Sequence, residues 1–313
     1  MIDALGRVLP VLLLFLLGAV LRRREFLAVT TVADLRRFVL TVTLPSALFL
    51  TFLRVDLELR YLPIVVMVFG ACVAMLLAGP LLARGVGVRS LYAGPLLTGF
   101  EAGMLGYAIY GGVFGQENLY RFGIVDLGQV LFVFFVLATL LTRRATGVTP
   151  RTRDTVVAFI RTPVIVAILA GIAGNVVGLG ALLDSSPISA SLLQTLALLG
   201  ACTTPLIAVV IGYSTTLRRG ALSRPARTVM VRLAVWVVLA LPFSVFIVEG
   251  VLGLDPLFAA AVMTMAVLPP PFVIPLYMST DAGAERDYVA DTLSLATVVT
   301  LVAFSVVAAV YSG

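Results

Sequence analysis

The chain has 313 residues, of which 61% are hydrophobic and only 12% are charged, and its mean hydropathy is +1.12. A soluble domain carries about a quarter charged residues, so this composition excludes a water-soluble globule and predicts that lipid solvates most of the surface. The net charge is +6, every basic residue is an arginine, and most of the arginines lie in short clusters between apolar runs. That distribution is typical of cytoplasmic loops rather than of a nucleic-acid-binding surface.

The apolar runs predict an all-α integral membrane protein with ten transmembrane helices. A membrane helix needs roughly 20 mostly apolar residues, and the connections between these runs leave no room for a soluble domain. The first run precedes Arg22–Arg24, which is the opposite of the charge order in a secretory signal, so it is interpreted as a membrane helix. The predicted spans are 5–21, 32–53, 61–83, 89–113, 121–142, 156–180, 190–217, 226–252, 257–279 and 287–311.

Charge in the loops predicts the orientation of the spans. Arginines cluster after spans 1, 3, 5 and 7, whereas the loops after even-numbered spans are neutral or acidic. Because arginine-rich loops remain in the cytoplasm, both termini are expected outside it, in a multi-pass protein of the plasma membrane. The segment after span 9 disagrees, since Asp281, Glu285, Asp287 and Asp291 outnumber Arg286. Acidic residues contribute little to the rule, so the topology is kept.

Ordered sequence matches predict an internal repeat. Pro10 and Gly18 of span 1 match Pro163 and Gly171 of span 6 at the same spacing. Spans 2 and 7 share a Thr-x-Pro or Thr-Pro pattern, and spans 4 and 9 share a Leu-aromatic-Ala start. We therefore divide the chain into a first five-helix repeat, 1–145, and a second, inverted repeat, 146–313, which is a common plan of secondary transporters.

Helix-breaking residues interrupt spans 4 and 9 near their centres. Span 4 contains a glycine-rich stretch, Gly99–Gly106, and span 9 contains three successive prolines. Irregular backbone at membrane depth needs protein or a water-filled cavity to satisfy its polar groups, and paired breaks indicate a midplane substrate site. The candidate substrate-binding residues are Thr98, Gly99, Phe100, Glu101, Gly103, Thr203, Pro269, Pro270 and Pro271, and the helix-break residues are Pro45, Gly106, Pro205 and Pro275. A kinked helix without a ligand is the alternative.

Three polar residues are assigned to coupling or to the vestibule. Glu101 lies inside the first break, where a carboxylate should face a cavity or bind a proton or cation; alternatively, it bonds to nearby backbone. Asp126 and Gln129 are three residues apart on one helix face and line the vestibule, or form a solvated helix end. Thr203 supplies a hydroxyl to the site, or satisfies a carbonyl freed by proline. Arg232 is expected to snorkel from span 8.

At these residues the sequence resembles the auxin efflux carrier family, which is related to bile-acid–sodium symporters. The resemblance rests on 38–49 of span 2, the break 99–106, Val125–Gln129, Thr162-Pro163 and the proline-rich break. It implies two inverted five-helix repeats whose broken helices 4 and 9 cross, and a scaffold unit and a transport unit that move against each other. Many relatives place an asparagine where this chain has Glu101. An acid beside an anionic substrate favours proton coupling.

The function expected is that of a secondary active transporter, not of an enzyme. The chain has no histidine and no catalytic or metal-binding motif. Family resemblance implies a small organic anion as substrate, either a dicarboxylate such as malate or an auxin-like carboxylate, moved by alternating access. No cofactor is expected beyond a coupling H⁺ or Na⁺; the expected partners are the organic anion, the lipid bilayer and a second copy in a homodimer, and not nucleic acid. The alternatives are a sodium-coupled symporter of the bile-acid type and a membrane-embedded sensor or binding protein.

Overall fold

The computed structural model describes residues 2–55, 58–184, 187–216, 222–278 and 283–311. The described part of the chain is helical and contains no strand. Several of the long helices include π turns, and the fourth, sixth, seventh and ninth segments are bent or interrupted. The helices are α1 (Ile2–Arg23), α2 (Val29–Leu53), α3 (Leu59–Gly85), α4a (Ala93–Leu97), α4b (Tyr107–Phe114), α5 (Gln116–Thr146), α6a (Thr152–Ile160), α6b (Pro163–Val176), α7a (Pro187–Ala201), α7b (Thr203–Ser214), α8 (Ser223–Val251), α9 (Pro256–Val267) and α10 (Gly283–Tyr311).

Six helices of the described chain are long and apolar enough to cross a bilayer, and a seventh results if α6a and α6b count as one span bent by 67°. The protein is therefore a multi-span membrane protein, but the ten predicted spans are not confirmed. The fourth and ninth predicted spans are divided into pieces that are each too short to cross the hydrocarbon core. The bend between α6a and α6b occurs just before Pro163, which cannot donate a backbone hydrogen bond.

Contacts between loops bring the predicted cytoplasmic segments together. Arg224, which follows span 7, donates to the carbonyl oxygen of Arg89 at 2.5 Å and forms a salt bridge of 2.6 Å with Glu285. Ser90 also donates to the Glu285 carboxylate. The acidic segment after span 9 thus lies beside the loops after spans 3 and 7, where its charge offsets arginine; Asp281 lies outside the described residues. Which face meets the cytoplasm stays a prediction.

The helices pack in two groups. In one group, α1 packs on α7b, and α2 packs on both α6b and α7a. In the other, α3 packs on α5, α5 also contacts α9, and α8, α9 and α10 contact one another. The interrupted fourth segment belongs to the second group through α4a, which contacts α3 and α8, while α4b touches α7b of the first group. The break therefore lies where the two groups meet.

Glycines allow the helices of the first group to approach closely. A Cβ atom added at Gly18 would overlap the carbonyl oxygen of Val209, and one added at Gly212 would overlap that of Phe15. The two contacts are reciprocal between α1 and α7b. Small residues at such contacts let the backbones of membrane helices touch.

Gly171, which corresponds to Gly18 in the predicted repeat, makes a comparable contact. A Cβ atom at Gly171 of α6b would lie 2.8 Å from the carbonyl oxygen of Phe49 in α2. Span 1 thus packs through its glycine on span 7, and span 6 packs through its glycine on span 2, as an exchange of repeats would require. The division into repeats at 145 and 146 remains a prediction.

Substitution of Gly18 by valine is expected to destabilise the protein by about 1–3 kcal/mol, because the added methyl groups overlap the Val209 backbone. A thermal-unfolding scan in detergent measures the effect. The matched control is Gly70→Val in α3, where a Cβ atom would meet nothing within 4 Å. Equal unfolding temperatures for the two variants would contradict the close contact between α1 and α7b.

Candidate functional site

The break in the fourth segment is an extended turn that requires a glycine. Helix α4a ends at Leu97, and Thr98 is extended at φ −121° and ψ 167°. Gly99 then adopts φ +61°, in the left-handed region that side chains with a Cβ atom rarely occupy. A Cβ atom there would also lie 2.8 Å from Cγ of Pro271. The chain resumes as a π turn over Ala102–Gly106, followed by α4b.

The break in the ninth segment follows from its prolines. Helix α9 ends at Val267, and Leu268 is extended at φ −66° and ψ 151°. The next three residues are Pro269–Pro271, which have no N–H to continue a helix. Beyond them the described chain forms only a short 3₁₀ turn, Ile274–Tyr277. Within the described residues no half-helix therefore restarts after the break of the ninth segment, where Pro275 again removes an N–H.

The two breaks contact each other, and Glu101 joins them. The Glu101 backbone N–H donates to the carbonyl oxygen of Pro269 at 2.9 Å. In return, the Phe272 N–H donates to the Glu101 carboxylate at 2.6 Å, and the Met104 N–H donates to its other oxygen at 3.3 Å. The carboxylate thus caps the π turn that follows it and satisfies the first N–H after the prolines. It bonds to backbone, which was the alternative role considered for it.

One side of this junction is accessible. Glu101, Gly103 and Phe272 are each partly exposed, whereas most neighbours in both breaks are buried. A Cβ atom added at Gly103 would meet nothing within 4 Å. The Glu101 side chain is therefore partly exposed, and the space beside Gly103 is open.

Arg232 fills the opposite side of the crossing and is 3% exposed. It lies nine residues after the start of α8, about 14 Å along the helix axis, and it does not snorkel as expected. Its guanidinium group instead bonds to backbone carbonyl oxygens of both breaks. The acceptors are those of Leu96, Thr98, Gly99, Leu268 and Pro269, at 3.2, 3.4, 2.5, 3.2 and 3.4 Å.

One aromatic ring lies over the guanidinium group, and a second packs against the first. The Arg232 guanidinium carbon lies 5.0 Å from the centre of the Phe100 ring, within range of a cation–π interaction. The Trp236 ring stands edge-on to Phe100 at 4.6 Å, and its N–H donates to the carbonyl oxygen of Leu97 at 2.9 Å. Arg232 and Trp236 are four residues apart and so share one face of α8. A lone arginine one turn from the only tryptophan is the sequence signal that could have identified the pair.

Asp126 and Gln129 of α5 form a buried network that holds the first break. The Gln129 side chain donates to the Phe100 carbonyl oxygen at 3.1 Å and accepts from the Phe100 N–H at 3.4 Å. It also donates to Asp126 at 3.1 Å, while the Tyr107 hydroxyl donates to the other Asp126 oxygen at 3.0 Å. The side chains of Asp126 and Gln129 are both buried, so the interpretation of these residues as a solvated helix end is wrong. Tyr107 was not anticipated.

Several predicted site residues have structural contacts away from Glu101. The Thr98 hydroxyl donates to the carbonyl oxygen of Cys72 at 2.6 Å, which points it at α3. Thr203 is buried, and its hydroxyl has no hydrogen-bond partner among the described residues. Its neighbour Thr204 donates to the carbonyl oxygen of Ala108, about two turns beyond Glu101. The start of α7b therefore lies beside α4b rather than at the crossing.

The remaining helix-break residues differ in their effect. Pro45 follows the π turn Val39–Thr43 without interrupting α2, and Pro205 lies in the first turn of α7b. Gly106 ends the π turn of the fourth segment, where a Cβ atom would lie 2.5 Å from the Phe122 ring. Close packing rather than ligand access therefore accounts for glycine at position 106.

The described structure has two sizeable cavities, of which only the first touches a break. An apolar cavity of about 450 Å³ lies between α3, α8 and α9, and Phe100 and Trp236 form part of its wall. A more polar cavity of about 600 Å³ lies between the ends of α2 and α7a and the start of α5. Thr51, Arg54 and Gln194 are among the polar residues that line the second cavity.

Gln129→Leu is expected to lower the free energy of unfolding by about 1–3 kcal/mol, because the Phe100 backbone and Asp126 lose their buried partner. Thermal unfolding in detergent checks this expectation. Gln194→Leu, at an exposed position, is the matched control and should change stability little. If both variants unfold at the wild-type temperature, Gln129 does not hold the break.

No protein-family model matches the sequence. The chain is similar to a protein of Methanothermobacter thermautotrophicus (strain ATCC 29096 / DSM 1053 / JCM 10044 / NBRC 100330 / Delta H) described as an uncharacterized transporter. The two are 32% identical over 179 residues, which cover 55% of this chain and 57% of that protein. The chain thus spans little more than half of the curated relative that it matches, and the comparison favours a transporter without indicating a substrate or a family.

Proposed function

We propose that the protein is a secondary active transporter that moves a small organic anion across the membrane by alternating access, coupled to protons. The observation that carries the proposal is the contact between two interrupted helices beside an accessible carboxylate, Glu101. Broken helices that meet inside a membrane protein are a frequent basis of transporter binding sites. The similarity to an uncharacterized transporter supports the same general activity.

Glu101 suggests how the anion and a proton are coupled. Its carboxylate accepts hydrogen bonds from the Met104 and Phe272 N–H groups, which are donors that an anionic substrate would also use. A negatively charged substrate and a charged Glu101 repel each other at this distance. Protonation of Glu101 removes its charge and weakens its hold on both donors. Proton binding and anion binding at the crossing are therefore favourable together.

The two helix groups supply the moving parts in this proposal. The group with the crossing contains α3, α5, α8, α9 and α10, and the other contains α1, α2, α6 and α7. Membership in the auxin efflux carrier family is part of the proposal and would make the group with the crossing the transport unit. Displacement of one group along the other would expose the Glu101 side of the crossing alternately to the two faces.

Purified protein in liposomes is expected to take up labelled malate or another small carboxylate, and an inwardly directed proton gradient is expected to accelerate uptake. Saturable uptake and counterflow would distinguish a carrier from a channel. Protein-free liposomes and liposomes with no pH gradient are the controls. Tight carboxylate binding without flux under any gradient would favour a sensor instead and would refute transport.

Glu101→Gln is expected to flatten the pH dependence of uptake, because glutamine keeps an oxygen acceptor but cannot exchange a proton. Initial rates between pH 5 and pH 8 measure the effect. Glu117→Gln, at an exposed position after α4b, is the matched control and should keep the wild-type profile. An unchanged profile in folded Glu101→Gln would leave Glu101 with its backbone-capping role alone.

A further inference from the structure

The carbonyl oxygens that surround Arg232 come from the ends of two helices. Leu96 and Thr98 lie at the end of α4a, and Leu268 and Pro269 follow the end of α9. The carboxyl end of a helix carries partial negative charge and unpaired carbonyl groups. In membrane transporters, unwound carbonyls and helix ends of this kind bind alkali cations.

In this protein the positively charged side chain of Arg232 lies at these carbonyls. The guanidinium group of Arg232 uses its Nε and both terminal nitrogens as donors to these carbonyls, and arginine remains charged in proteins. The group is almost fully enclosed, with Phe100 over it and Trp236 bound to the Leu97 carbonyl beside it. Its partners among the described residues are carbonyl oxygens, and no carboxylate forms a salt bridge with it.

Another carbonyl at the end of α9 is satisfied by an uncharged donor. The Thr300 hydroxyl of α10 donates to the carbonyl oxygen of Val267 at 2.5 Å. The Pro269 carbonyl accepts from the Glu101 N–H as well as from Arg232. Arg232 is thus the single cation at this set of carbonyls in the described structure, and it bonds to both helix ends at once.

We propose that Arg232 is a tethered cation that permanently occupies the carbonyl site where a mobile alkali ion would otherwise bind. The crossing therefore holds together without Na⁺. This inference deepens the proposed function, since it excludes sodium coupling at the crossing and assigns coupling to the accessible carboxylate on its other side. Arg232 is a positioning residue and does not touch the substrate.

Thermal unfolding in detergent tests the proposal without any need for transport. A failure of this proposal is therefore distinguishable from a failure of the proposed transport function, which the uptake assay tests. At constant ionic strength, the wild-type unfolding temperature is expected to be the same in NaCl as in choline chloride. A saturable stabilisation of the wild type by Na⁺ would overturn the proposal. Arg227→Ala, an exposed arginine on the same helix, is the matched control for all variants of Arg232.

Arg232→Ala vacates the carbonyl site and is expected to lower the unfolding temperature by about 5 °C or more. Millimolar guanidinium or methylguanidinium should then raise the unfolding temperature of this variant in a saturable manner, because the small cation refills the site. The wild type and Arg227→Ala should show no such rise. A folded Arg232→Ala variant that gains nothing from guanidinium would contradict the proposal.

A second pair of variants serves if Arg232→Ala does not fold. Arg232→Lys keeps the positive charge and three N–H donors, whereas Arg232→Gln keeps N–H donors without the charge. The lysine variant is expected to be clearly the more stable of the two and to remain insensitive to Na⁺. Equal stability of the two variants would show that charge is not required and would overturn the proposal.

Discussion

Every backbone N–H and carbonyl group inside a bilayer needs a partner within the protein, because lipid offers none. This requirement is most demanding where a helix stops inside the membrane, since each helix end leaves several such groups unpaired. Here two helices stop at the same place. Each break supplies a partner to the other, as the Glu101 N–H and the Pro269 carbonyl show. Side chains from α5 and α8 satisfy further groups at the junction.

The charge of each side chain at the junction is opposite to the partial charge of the backbone groups that it binds. Arg232 bonds to carbonyl groups at the ends of α4a and α9, and Glu101 bonds to N–H groups that follow the breaks. The environments of the two side chains differ sharply. Arg232 is buried with the Phe100 ring over its guanidinium group, whereas Glu101 is partly exposed. In this proposal the charge of Arg232 stays fixed, whereas the charge of Glu101 changes when a proton binds.

Sequence singled out Glu101, Asp126 and Gln129, which lie at the first break, although their coupling and vestibule roles remain predictions. It was sufficient for the membrane character and the two interruptions. These follow from local causes: apolar length, the φ of Gly99 and the missing N–H groups of Pro269–Pro271. The role of Arg232 could not be predicted, because its five acceptors come from segments more than 30 residues away in sequence. The bond from the Thr98 hydroxyl to the Cys72 carbonyl could not be predicted either, because it depends on how α3 packs.

The indole of Trp236 gives the molecule an intrinsic optical label. It is the single tryptophan in the chain, it is bound to the last residue of α4a, and its ring touches Phe100 within the first break. Indole emission depends on the polarity and hydrogen bonding around the ring. The tryptophan fluorescence of the unmodified protein therefore comes from the junction of the two broken helices, and the tyrosines add only a weaker emission.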